Sequence, residues 1–161
     1  MKLVSLRAAL LFFTVAVLCG SALRPSHIRA GVADIHDRFV GAWRLVSLEE
    51  PDGNGKVSPS DCTGLLAYTR DGHMSVQVMY RNPQTGDQAG PVQYAQGGYE
   101  ASFGTYQVEE ASHTFIFHVE GAMVRSLIGK DLSRAFEFVG QRLIVKSTNP
   151  NEHWRATWEH Y

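Results

Sequence analysis

The residues best able to do chemistry lie in a short alternating run, Phe115-Ile116-Phe117-His118-Val119-Glu120. On a strand, His118 and Glu120 share a face, because side chains two apart point the same way. An imidazole with a pKa of ~6.5 exchanges protons at neutral pH, and a carboxylate beside it can orient the ring. That pair has the makings of a general acid/base, provided its face looks into a cavity. Phe115, Phe117 and Val119 occupy the opposite face. If that face is the core, His118 and Glu120 are solvated on the outside of a half-buried strand. In a small barrel either face can be the inner one, and alternation alone leaves both placements open.

A second polar set surrounds an Asp71-Gly72 turn: Tyr68, Arg70, His73 and Gln77. Tyr68 follows Gly64 and Leu66 on one face, so its hydroxyl either enters an apolar cavity or sits at the surface. Arg134 shares a face with Phe136 and Phe138. It is either a snorkelling rim residue or an anchor for a ligand carboxylate, to which the planar guanidinium is suited. Trp154, Ala156 and Trp158 read as barrel packing.

The seven histidines do not make a metal site. His113 and His118 are an odd number of residues apart on one strand, as are His153 and His160, and no acid completes a ligand set. Cys62 has no histidine near it in sequence and reads as an idle thiol. There is no nucleophile elbow, phosphate-cradling loop or dinucleotide fingerprint, so no cofactor is expected.

The first residues describe an export signal: Lys2 and Arg7, an apolar run from Ala8 to Leu18, then Gly20-Ser21-Ala22. The apolar run is shorter than the ~20 residues a bilayer span needs. Cleavage after residue 22 is expected, giving a periplasmic or secreted protein. Lipidation at Cys19 is disfavoured by the bulky Leu18 before it. Cleavage also removes Cys19, so Cys62 has no partner within the mature chain. The formal net charge moves from −1 to −3 when Lys2 and Arg7 leave. No basic cluster remains to track a phosphate backbone, which argues against nucleic acid as a partner.

These residues must be positioned by β structure. Residues 23–38 form a leader, helical near its end, into a domain spanning 39–161. Trp43, Leu45 and Ser47 alternate with Arg44, Val46 and Leu48, and Pro51 to Lys56 then form a turn. Leu65 to Arg70 and His73 to Tyr80 are strands joined by Asp71-Gly72, a pair suited to a tight hairpin. Gln93 to Ser102 is expected to form a short helix. Strands follow over Phe103 to Glu109, His113 to Glu120, Arg134 to Val139, Arg142 to Ser147 and His153 to Tyr161. Many short strands with regular turns point to a closed antiparallel barrel, which also removes exposed edges.

Three segments make the pattern specific: Phe39 to Ser47 with its Gly41-Ala42-Trp43, the hairpin Gly64 to Gln77, and Gly98 to Tyr106. With His118-Val119-Glu120-Gly121 and Arg134 to Phe138, they resemble the lipocalin-like domain family, small proteins of bacteria and fungi that mostly lack an assigned function. The resemblance runs from about Phe39 to Tyr161. It implies an all-β, up-and-down antiparallel barrel with a lumen for a small hydrophobic or amphipathic molecule. It also implies that the opening Trp43 packs across the closed end beneath an arginine of the last strand, for which Arg155 is the candidate. The ligand-binding set expected on this basis is Tyr68, His73, His118, Glu120 and Arg134. Two alternatives remain: a proton-transfer enzyme using His118 and Glu120, and a solid barrel serving as an interaction module.

Overall fold

In the computed structural model, the described residues are 34–51, 54–82 and 98–161. The expected signal peptide, the leader before residue 34 and the first half of the segment read as a helical insert lie outside them. One helix, α1 (Ile35–Phe39), leads into nine strands. They are β1 (Gly41–Pro51), β2 (Val57–Pro59), β3 (Cys62–Tyr68), β4 (His73–Tyr80) and β5 (Tyr99–Glu109), then β6 (Thr114–Ala122), β7 (Asp131–Val139), β8 (Arg142–Ser147) and β9 (Arg155–His160). All pairings are antiparallel, and β9 returns to pair with β1, closing β1 and β3–β9 into an eight-stranded barrel. The short β2 lies against the last residues of β1, opposite Glu49 to Pro51.

The Asp71-Gly72 hairpin forms where expected, with Gly72 at a φ of 86° that L-residues disfavour. The expected helix does not extend over Tyr99 to Ser102. These residues begin β5, with Tyr99 opposite Met79 and Ser102 opposite Val76. Partners on β4 outweigh the weak local signal, as tertiary pairing commonly does.

Two bulges change which side chains face inward. In β1 the register slips between Leu45 and Ser47. Trp43 and Leu45 point inward before the slip, and Leu48 and Glu50 after it, so Leu48 is buried rather than on the outer face that simple alternation assigns. The second slip lies between Phe103 and Gly104, opposite Val119 and Gly121. A Cβ on Gly104 would stand 1.9 Å from the His118 carbonyl oxygen, so this close approach requires glycine.

One end of the barrel is filled by Phe39, which is fully buried at the end of α1. Its ring meets Tyr68, Phe115, Phe136 and Phe138 edge-on, with centroids 4.9–5.7 Å apart. Edge-to-face contacts of this kind add about 0.5–1.5 kcal/mol each beyond area burial. Trp43 Nε1 donates to the Phe39 carbonyl oxygen at 2.8 Å, tying the plug to the first strand.

Arg155 does not cover Trp43. The antiparallel register sets Trp43 opposite His160 and Arg155 opposite Glu49, at the far end of the same strand pair. The His160 ring lies over Trp43, with centroids 3.6 Å apart, and Arg155 pairs with Glu49 at 3.4 Å. Gly41, at a φ of 140°, makes this stacking possible. A Cβ there would come within 2.7 Å of the His160 ring.

Candidate functional site

The inner faces of the strands enclose a cavity of about 90 Å³, several times the ~10–15 Å³ that holds one water. Its walls are mainly apolar: Leu48 and Leu66 on one side, Met74 and Val78 on β4, Phe117 and Leu132 opposite. Trp154 and Trp158 are the largest side chains in the wall. A Cβ on Gly64 would contact the Trp158 ring at 3.3 Å, so the glycine on β3 leaves space for that indole.

Three polar side chains interrupt this wall: Tyr68, Glu100 and Arg134. Tyr68 is 2% exposed, and its hydroxyl has no hydrogen-bond partner among the described residues. Leaving such a group buried and unsatisfied costs about 1–3 kcal/mol. Burial, reinforced by nearby Tyr106 and only opposed by Arg134, drives its pKa well above the ordinary value, so the hydroxyl stays protonated.

Arg134 projects from β7 with its side chain 12% exposed. Its Nη1 donates to the Ser133 carbonyl oxygen at 3.1 Å, and its guanidinium lies 5.2 Å from the centre of the Trp154 ring. Glu152, just before β9, stands 3.9 Å away. Burial opposes ionisation of Glu152. Hydrogen bonds involving Ser147, Trp154 and Asn149, together with the Arg134 charge, outweigh it and hold the pKa below the usual carboxylate value. Glu152 is therefore a fixed anion at neutral pH, matching Arg134.

Glu100 behaves differently. Burial pushes its pKa from 4.5 up to about 7, although the Arg134 charge acts in the opposite direction. It is the lumen group that changes protonation near neutrality. Beyond it, Tyr80 donates to Glu50 at 3.0 Å, and Ser60 donates to the other oxygen of the same carboxylate. Cys62 sits beside this cluster. Burial and the Glu50 and Asp61 charges push its thiol up to about 11, which leaves it protonated and unreactive.

Of the five expected ligand-binding residues, Tyr68 and Arg134 line the cavity. The other three lie elsewhere. His73 is exposed on the outer face of β4, 3.3 Å from Asp71. His118 and Glu120 are also exposed, because Phe115, Phe117 and Val119 take the inner face of β6. His118 Nδ1 lies 2.7 Å from an Asp131 carboxylate oxygen on the outside of the barrel. The apolar face of β6 is the core, and the lumen placement of His118 and Glu120 is corrected accordingly. Among the described residues, no three His, Cys, Asp or Glu side chains are grouped to hold a metal.

Glu100 is the lumen residue that sequence reading passed over. Its signal was available: it lies two residues before Ser102 and four before Gly104, on the inner face of β5. Reading Gln93 to Ser102 as a helix concealed that alternation.

A model described as lipocalin-like domain matches residues 40–160. No curated protein matches the chain. Among solved structures, an uncharacterized protein from Bacteroides eggerthii is similar at 12% identity and a TM-score of 0.42, over 76% of this chain and 99% of that one. A point mutant of the fluorescent protein UnaG is similar at 14% identity and a TM-score of 0.39, over 78% of this chain and 97% of that one.

Proposed function

The chain belongs to the lipocalin-like domain family, and from that premise we propose that its barrel holds a small hydrophobic or amphipathic molecule in the lumen. The buried Tyr68 hydroxyl, without a partner among the described residues in a mainly apolar cavity, is the observation that carries this reading. Binding pockets combine apolar walls with a few polar groups that fix orientation, and here Tyr68, Glu100 and Arg134 are those groups. A ligand atom that hydrogen-bonds Tyr68 removes the cost of its isolation, which favours the loaded state over the empty one.

The proton-transfer alternative rested on His118 and Glu120, and their position outside the barrel removes its support. The solid-barrel alternative is disfavoured by the cavity above the Phe39 plug. The proposal includes export after removal of residues 1–22. Among the described residues, no helix is long and apolar enough to cross a membrane.

Native mass spectrometry of the exported protein, followed by denaturing extraction, tests both parts. The expected spectrum shows a chain beginning after residue 22 and a discrete extra mass released on denaturation. A chain that retains its first residues contradicts export. An empty protein that also stays empty when offered small amphipathic molecules contradicts the carrier reading.

A further inference from the structure

We infer that the lumen selects apolar molecules bearing one acidic group, whose carboxylate lies between the Tyr68 hydroxyl and the Arg134 guanidinium. This inference rests on the lumen-binding reading and adds the ligand's chemical class. Tyr68 can donate one hydrogen bond and has nothing among the described residues to donate to. Tyr68, Glu100 and Arg134 line the same cavity, and the permanent charge of Arg134 acts on both of the others. A carboxylate accepts from a hydroxyl and a guanidinium together, with the geometry the planar fork favours. A ligand cation would instead be placed beside a guanidinium that cannot lose its charge.

Charge balance in the lumen assigns a part to Glu100. Arg134 is already matched by Glu152, so an incoming carboxylate adds an unmatched negative charge. Glu100 can offset it by taking up a proton, at little cost because burial already holds its pKa near 7. Among the described residues, the titratable groups around Glu100 are Arg134 on β7, Tyr80 on β4 and Tyr68 on β3. Glu50 on β1 lies behind Tyr80, and Glu152 lies behind Arg134. Strand β6 contributes only Phe115 and Phe117 to this cavity. Arg134 cannot lose its charge, burial keeps Tyr68 and Tyr80 protonated, and Glu152 is held ionised, so Glu100 is the one of these that changes charge between about pH 6 and pH 8.5.

The sign follows by linkage. Below about pH 7 Glu100 is already neutral and affinity for a carboxylate is flat. Above it, binding must draw a proton from solution, so affinity falls as pH rises.

The test is calorimetric titration of the mature protein with decanoate, decanol and decylamine, at about pH 6 and about pH 8.5. Decanoate is expected to bind at least about tenfold more tightly than either analogue, and to weaken several-fold to about tenfold at the higher pH. Glu100→Gln should abolish that pH dependence and bind at the higher pH as wild type does at the lower. Tyr68→Phe should lose most of the preference for decanoate over decanol. Arg134→Gln should do the same, and the other two variants keep the test intact if it fails to fold. Equal binding of decanoate and decanol overturns the acid preference but leaves the lumen reading standing. So does tightest binding by decylamine, with affinity rising with pH. If none of the three binds, the lumen-binding reading falls with the inference.

Discussion

Tyr68 and Glu100 each carry a cost in the empty protein. For Tyr68 the cost is a buried hydroxyl without a partner among the described residues. Tyr68→Phe should therefore leave the empty protein as stable as wild type, or raise its stability by up to about 2 kcal/mol, in denaturant unfolding. A loss of more than about 1 kcal/mol would mean that the hydroxyl has a stabilising partner. For Glu100 the cost depends on pH. Its folded pKa, about 7, lies above the ordinary 4.5. Its contribution to stability is thus complete below about pH 4.5 and is lost as pH rises towards 7, because the unfolded chain gives up the proton first. The loss is on the order of 3 kcal/mol across that window. Comparing Glu100→Gln with wild type across the same pH range isolates it from the opposing effect of Glu152. The variant should be the more stable protein above pH 7 and should lack that downward slope. Parallel stability profiles for the two proteins would contradict the buried placement of Glu100.

The elements were legible in the sequence wherever local chemistry and pairing agreed. Asp71-Gly72 fixed the β3–β4 hairpin through the turn itself, and Gly140-Gln141 joined β7 to β8 as read. What escaped notice depended on contacts distant in sequence. The Leu45/Ser47 slip, which turns Leu48 into the lumen, is imposed by pairing with β9 more than a hundred residues later. Inferring a cap for Trp43 from Arg155 failed for a related reason. The final strand runs antiparallel to the first, so its last residues, not its first, meet Trp43. Gly104 tests this element-scale logic. Its Cβ would collide with backbone, not with a side chain that can rotate away. Gly104→Ala should cost at least about 3 kcal/mol by forcing β5 and β6 apart, outweighing the ~0.5–1 kcal/mol that replacing a strand glycine by alanine ordinarily gains. Thermal unfolding of the variant reads this directly. A midpoint within a few degrees of wild type would show that the bulge accommodates a side chain.

For the whole molecule, closure of β9 onto β1 leaves one barrel with two unlike halves: an aromatic plug around Phe39 and a cavity above it. In the plug Phe39 packs against five aromatic rings, whereas among the described residues three polar side chains interrupt the apolar cavity wall. That division explains why the site was half legible. Tyr68 and Arg134 showed themselves as polar residues on apolar faces, whereas His118 looked better suited to chemistry and faces solvent. Which face of β6 turns inward is decided by closure of the barrel, not by β6 alone. The methionines report on the two faces. Met74 lies on the cavity wall, while Met79 and Met123 are exposed. Methyl NMR of the mature protein, labelled at methionine and titrated with decanoate, tests ligand binding in the lumen most directly. Lumen binding predicts a saturable shift of the Met74 methyl, with Met79 and Met123 almost unmoved. Saturable shifts at Met79 or Met123 with Met74 unchanged would place binding on the outside of the barrel and contradict it.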